Sequence, residues 1–253
     1  MDLGPTKIVI GKQVIPIGVG QIFNAVSQMQ RYPLIFIDPE FPKTEDAVTV
    51  IWTGPLQWEG RYLPKNPGQA KDNFHLRVKG DWLGADWALT AGRSDDKEFV
   101  GTESALNIGD SLLRAELVSY LKRNKTYGQG LLGFDTVFSA AWSSKWEVFY
   151  NGFGGVSHRS APFQGTWYGA NLTSWEIHPL LKANLLSILN FEDPSALFHL
   201  YFNYSLSSSW DLLLGQFLNR GKGTSEFGGE IPLGPGISLG QPDITYAALR
   251  WYF

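Results

Sequence analysis

The chain has 253 residues, of which 18% are charged and 14% aromatic, with a formal net charge of −3 and no cysteine. This length suits one large all-β domain or two small ones and is enough to bury a core. The slightly acidic balance leaves no basic stripe for a nucleic acid, and the missing cysteines exclude disulfide frameworks, thiolate catalysis and cysteine-based zinc sites.

Ten Trp and ten Tyr are more than a soluble core of this size ordinarily uses. Aromatic residues in that number suit the girdles at the two edges of a membrane-spanning sheet. No run of about 18 apolar residues occurs, so a membrane reading requires strands. Residues 1–7 lack the basic start and apolar centre of a secretory signal, so an exported form of this chain would have lost one. Cysteine-free composition suits a chain that crosses an oxidising periplasm unfolded.

Residues 7–12, 47–52 and 57–63 read as strands, interrupted by residues 22–44, whose Pro33, Pro39 and Pro42 predict an extended loop or an inward constriction. In residues 74–79, Phe74, Leu76 and Val78 alternate with His75, Arg77 and Lys79. In residues 85–92, Ala85, Trp87, Leu89 and Ala91 oppose a face carrying Asp86. Residues 93–109, rich in Asp and Glu, are too long for the short turn due at that point and predict a hidden hairpin or a segment folded into a channel.

Leu113, Leu117 and Leu121 then oppose Arg114 and Glu116, and Leu132, Phe134 and Phe138 oppose Asp135. After a tight turn at Ser143 and Ser144, Trp146, Val148 and Tyr150 oppose Lys145 and Glu147. A loop at 152–165 precedes a strand at 166–174. Residues 181–189 and 210–218 carry apolar side chains on both phases, which predicts packing inside a lumen or at a subunit contact. Between them, Phe198, Leu200, Phe202 and Tyr204 oppose His199, Tyr201 and Asn203, and residues 207–209 make a tight turn. A long Gly- and Pro-rich loop at 219–243 leads to residues 244–253, where Thr245, Ala247, Leu249, Trp251 and Phe253 alternate with Tyr246, Ala248, Arg250 and Tyr252.

Each of these apolar phases is free of charge, as a face in contact with hydrocarbon has to be. A soluble sandwich also alternates, yet its outward face would be dense with Lys, Glu and Thr, whereas the polar phases here mix small residues with charges of both signs. The expected fold is all-β: a single antiparallel transmembrane β-barrel domain over residues 1–253, with about 12–14 strands of about ten residues. An aromatic-rich soluble sandwich is the alternative. Counting back from a periplasmic C-terminus places 219–243 and 152–165 outside and the two tight Ser turns inside.

The charges placed inside are Arg61, Arg77, Lys79, Arg114 and Arg250, against Glu59, Asp86, Glu116, Asp135 and Glu147. They form either facing rows that order water and select solutes, or pairs that hold the wall together. Phe198, Phe202, Leu249, Trp251 and Phe253 are the residues expected to meet lipid. His158 and Ser160 lie two apart in a loop, a spacing that carries no catalytic geometry, and His75, His178 and His199 lack metal-ligand spacing. No enzyme activity, metal or cofactor is expected.

A terminal Phe253 with apolar residues at every second position before it resembles the closing strand of bacterial outer-membrane barrels, whose end the assembly machinery reads. Ile8-Val9-Ile10-Gly11-Lys12-Gln13, followed by Gly18, Asn24, Asp38-Pro39 and Asp46-Ala47-Val48, resembles porin-like outer-membrane proteins in which a strand ends in Gly-basic-Gln. The Pro179-Leu180-Leu181-Lys182, Asp211-Leu212-Leu213-Leu214-Gly215 and Leu249-Arg250-Trp251-Tyr252-Phe253 stretches are similar to alginate-export-type and other porin-like barrels. The chain departs from that pattern in having Ile17-Gly18 where an aromatic-Gly pair is usual, and in beginning almost on the motif. The alternating faces and the resemblance together imply a passive channel for small polar solutes in a bacterial outer membrane, with outer-membrane lipid and the barrel-assembly machinery as partners. Two alternatives stay open: a non-conducting structural or partner-binding subunit of an envelope complex, and a chain that is the C-terminal portion of a larger barrel or one piece of a barrel completed by other protein chains.

Overall fold

The structure, a computed structural model, describes residues 2–15, 17–26, 44–65, 71–94, 96–154, 163–223, 225–228, 230–234, 237–240 and 243–252. Its strands are β1 (Asp2–Leu3), β2 (Thr6–Gln13), β3 (Glu45–Thr53), β4 (Gln57–Leu63), β5 (Asn73–Trp82), β6 (Ala85–Ser94), β7 (Lys97–Ile108), β8 (Ser111–Lys122) and β9 (Lys125–Ser139). The second half adds β10 (Trp142–Asn151), β11 (Trp167–His178), β12 (Leu181–Asn190), β13 (Ser195–Ser207), β14 (Trp210–Arg220), β15 (Glu230–Gly234), β16 (Ile237–Gly240) and β17 (Ile244–Trp251). Fourteen of these, β2 to β14 and β17, form one antiparallel up-and-down sheet in chain order, extended at the β2 edge by the two-residue β1; β15 and β16 make a separate hairpin. Among the described residues no ladder joins β17 to β1 or β2, so the sheet is open there. An even number of strands leaves β2 and β17 running in opposite directions.

The two ends of the sheet differ. One carries only turns of two or three residues, at 54–56, 83–84, 109–110, 140–141, 179–180 and 208–209; the other carries the longer connections 14–44, 64–72, 152–166 and 221–243 together with the short ones 95–96, 123–124 and 191–194. Local geometry explains the tightest turns. Leu83 and Gly84 have φ of 53° and 76°, and Arg123 and Asn124 have 48° and 61°, the doubly left-handed pair whose twist matches a two-residue hairpin. Gly109, at φ 59°, performs the same service between β7 and β8.

Three expectations are corrected. Residues 93–109, expected to hide a hairpin or to fold into a channel, hold one full strand of the sheet, β7, paired with β6 and β8. The turn expected at Ser143 and Ser144 lies at 140–141, with both serines inside β10. The 219–243 loop contains the β15–β16 hairpin. The expected barrel is present as its antiparallel sheet alone, without the closing ladder among the described residues.

The phases separate as the alternation predicts. Leu89, Val100, Leu117, Leu132, Val148 and Leu249 stand exposed on one face, while Thr90, Phe99, Glu116, Leu131 and Glu147 are buried on the other. Nine of the ten tryptophans are exposed; Trp87 alone is half-buried, and none belongs to the core cluster. The core instead joins inner-face side chains from Ala47 on β3 to Phe217 on β14 with residues of the segment that follows β2. Val19 of that segment shares a cavity with Lys79 of β5, whereas Phe23, four residues on, stacks on Phe149 of β10 and meets Tyr168 of β11. Four residues span at most ~14 Å. Six strand spacings of a flat sheet cover ~29 Å, so the sheet curls around the segment.

Two turn substitutions of opposite sign check this register. Leu83→Asn, which replaces an exposed side chain strained at positive φ by the residue this turn favours, is expected to raise stability by about 1 kcal/mol. Gly109→Val is expected to lower it by about 1–3 kcal/mol. Denaturant midpoints measured side by side decide; equal midpoints for the two variants would contradict the turn assignment.

Candidate functional site

The charges that alternation places on the inner phase of β8, β9 and β10 converge on one centre. Arg114, Glu116 and Glu147 are each no more than 2% exposed. A carboxylate taken that far from water needs compensating donors, or it costs several kcal/mol. Those donors are backbone amides of the segment after β2.

Glu116 Oε1 accepts from the N–H groups of Val19 (2.5 Å) and Gly20 (2.6 Å), and its Oε2 from Ala25 (2.7 Å) and Val26 (3.2 Å). Glu147 Oε1 accepts from Gln21 (2.7 Å), and its Oε2 from Ile22 (3.0 Å) and Phe23 (2.7 Å). Two carboxylates therefore hold seven amides of an eight-residue stretch. Arg114 ties them together: Nη1 donates to Glu147 Oε1 (2.6 Å) and to the Val19 carbonyl (2.7 Å), and Nη2 donates to Asp135. The Tyr120 hydroxyl donates to the Ala25 carbonyl, and Lys145 Nζ reaches Gln21 Oε1 at 3.1 Å.

The sequence permits this fold at two glycines. Gly18 has φ +90°, and a Cβ there would lie 2.5 Å from the Asn24 side chain and 2.6 Å from Glu116 Oε1. At Gly20 a Cβ would come within 2.0 Å of the Phe23 carbonyl oxygen. Asn24 closes the turn by donating to the Ile17 carbonyl at 2.7 Å. Phe23 anchors the tip, with ring centroids 5.0 Å from both Phe149 and Phe163.

A second network lies on β4, β5 and β7. Glu59 accepts from Arg61 (2.5 Å), Lys79 (2.9 Å) and Gln57 (2.9 Å), with Arg77 Nη1 3.9 Å away. Arg77 Nη2 also pairs with Glu103, which stands directly opposite Glu116 across the β7–β8 ladder. His75, fully buried, sits between Thr90 and Arg61 Nη1, 3.5 Å from the latter. These charges are thus engaged with one another or with amides, so the facing, water-ordering rows considered in the sequence are replaced by a paired network. The reason is burial: Glu59, Arg61, Glu103, Arg114, Glu116 and Glu147 are too far from solvent to stay unpaired.

Of the remaining named charges, Asp86 lines a cavity shared with Arg77, Lys79 and Glu103. Asp86 is exposed on the inner phase at the tight-turn end, opposite Asp81, and Arg250 is half-buried on β17, opposite Asp211. On the other face, Leu249 and Trp251 are exposed at 58% and 60%, while Phe198 and Phe202 are half-buried by their neighbours. Phe253, His158 and Ser160 lie outside the described residues. His199 stacks on Phe217 at 3.8 Å and bonds the Tyr246 hydroxyl at 2.8 Å, and His178 is exposed at the end of β11.

At the long-loop end a third carboxylate acts as a latch. Glu226 Oε2 accepts from Tyr168 (2.5 Å) and Asn190 (2.7 Å), and its Oε1 from the Gln164 amide (3.0 Å), while Phe227 is buried beneath. Nearby loop carboxylates are also held. The Lys65 amide, at 2.9 Å, and the Tyr62 hydroxyl keep Asp72 below the usual carboxylate range, and the Asn219 amide with Arg220 does the same for Asp243.

Sequence reading named Glu116, Glu147, Arg114 and Asp135 but not their amide partners, Glu103 or Glu226. A signal existed for the segment: Gly18, Gly20 and Asn24 within seven residues mark a tight, side-chain-poor turn. No family model matches this chain, and no curated protein matches it.

Glu147→Ala removes three amide contacts and one partner of a buried guanidinium and is expected to cost about 3–5 kcal/mol. In a double-mutant cycle with Arg114→Met the two losses are expected to fall short of additivity, because both act through the same segment. Strict additivity in denaturant unfolding would contradict the coupling.

Proposed function

We propose that this chain spans a bacterial outer membrane as a β-barrel, and that it passes small polar solutes along an interior narrowed by the clamped segment. One observation carries the reading: the exposed face is a mainly aliphatic band, with Phe134 and Trp146 within it, between two aromatic belts. Trp52, Trp58, Trp82, Trp142, Trp210 and Trp251 gather near the tight-turn end of their strands, and Tyr62, Phe74, Tyr150 and Trp167 near the other end, all exposed. Between them stand Leu76, Leu89, Val100, Leu117, Leu132 and Leu214. Along β10, the eight steps from Trp142 to Tyr150 measure ~27 Å, which at a tilt of about 35–45° projects to ~19–22 Å along the membrane normal, close to the height of an apolar band ~25 Å tall.

Further support comes from the topology. An even up-and-down meander with only short turns at one end and all four long connections at the other fits the pattern of outer-membrane barrels. The opposed directions of β2 and β17 allow a closing ladder between them. The resemblance of the C-terminal strand fits a signal for the barrel-assembly machinery, and the cavity lined by Arg77, Lys79, Asp86 and Glu103 fits a solute path lined by ions of both signs. A second reading, a non-conducting structural or partner-binding barrel, is favoured by a different observation: Phe23, Phe149, Phe163 and Tyr168 fill the interior beside β10 and β11.

Planar-bilayer recording tests the proposal. Wild type, extracted from membranes with detergent, is expected to give small conductance steps, and Glu116→Ala/Glu147→Ala, which frees the segment, steps at least about twofold larger. Silence from both would overturn the channel in favour of the non-conducting barrel. Full solubility without detergent would overturn the membrane assignment itself.

A further inference from the structure

Between the clamped segment and the tight-turn end lies a cavity of about 520 Å³ whose lining includes Val19, Gln57, Arg77, Lys79, Asp86 and Glu103. Its size falls within the range of small-molecule sites. We propose that this cavity binds a small zwitterion, a solute with one ammonium and one carboxylate of the amino-acid type. The inference names the solute class for the channel proposed above and rests on that reading for access to the cavity.

The valences left open point to both charges. Glu103 is 2% exposed, and its Oε1 is taken by Arg77 while its Oε2 is buried without a hydrogen-bond partner. A buried, unfilled carboxylate oxygen is costly and gains most from a charged donor. Asp86, exposed in the same lining, faces Asp81 directly across the β5–β6 ladder, and two like charges so placed favour a cation between them. These groups supply an ammonium site. For the opposite charge, Arg77 Nε is also buried without a partner, and Lys79 uses one hydrogen on Glu59 Oε1, which leaves its other two to donate.

A free anion would meet the field of Glu59, Glu103 and Asp86, and a simple cation that of Arg77 and Lys79; a molecule carrying both charges satisfies the two ends together. A neutral polyol could donate to Glu103 but would leave the charge pattern unmatched. Val19, whose amide is held by Glu116 and whose carbonyl is held by Arg114, forms part of the wall, so a bound solute rests against the clamped segment.

Isothermal titration of the full chain in detergent micelles, with L-glutamine as the probe, tests this. L-Glutaminamide, N-acetyl-L-glutamine and glucose serve as the cation-only, anion-only and neutral controls. L-Glutamine is expected to bind at least about tenfold more tightly than each control, a preference of about 1.4 kcal/mol. Asp86→Asn, at an exposed position that leaves folding intact, and Glu103→Gln are each expected to weaken L-glutamine about tenfold without strengthening glucose. Equal binding of all four probes, no saturation by any, or wild-type affinity in Asp86→Asn would overturn the inference. Because micelle binding needs no conduction, zwitterion binding with silent bilayers would sink the channel alone, and conductance without binding would sink the zwitterion site alone.

Discussion

The interior of this protein is organised by one electrostatic constraint: Glu116 and Glu147 are carboxylates shut away from water, and something must neutralise them. Arg114 supplies one cation for Glu147, but the larger share of donors is backbone. Seven amides converge on four oxygens, each bond charge-assisted and therefore stronger than an ordinary peptide hydrogen bond. Conversely, the segment after β2 forms no strand over residues 17–26, and its buried N–H groups would be orphaned without those two side chains. Each half solves the other's problem, which explains how a loop with almost no secondary structure places Ile17, Phe23, Ala25 and Val26 in the core.

The curl of the sheet follows from the same centre. Side chains of β8, β10 and β11 reach one compact segment, and residues of β4 to β7 line the cavity beside it, so the charged phase turns inward and the opposite phase is left outside. That outside phase carries the aliphatic residues and nearly all the tryptophans, an arrangement that water would penalise and hydrocarbon would not. Burying Phe23 against Phe149, Phe163 and Tyr168 completes the interior near the long loops, while the Glu226 latch draws the β14–β15 connection over that end.

Period-two alternation made most of the sheet readable from sequence, because residues such as Trp146, Val148 and Tyr150 against Lys145 and Glu147 leave only one way to face. It failed at β7 for a physical reason. The outward phase of that strand includes Thr102 and Ser104 beside Val100, and its inward phase includes Phe99 and Gly101 beside Glu103, so neither side is uniformly apolar. The inner charges were legible as inner charges, yet their partners were not. Opposite side chains can be guessed from a sequence; backbone amides carry no residue-type signature, and only the glycines at 18 and 20 hint that a chain passes close to something. The expected loop or constriction at 22–44 lies mostly outside the described residues, and among those described the clamp already begins at Val19.

Residue-resolved hydrogen exchange tests the clamp most directly, because it reads the very N–H groups on which the interior depends. In the wild-type protein the amides of Val19, Gly20, Gln21, Ile22, Phe23, Ala25 and Val26 are expected to exchange as slowly as those of β8 and β10, and to lose that protection together in Glu116→Ala. Rapid exchange of these amides in the wild type, at the rate of an open loop, would contradict the account.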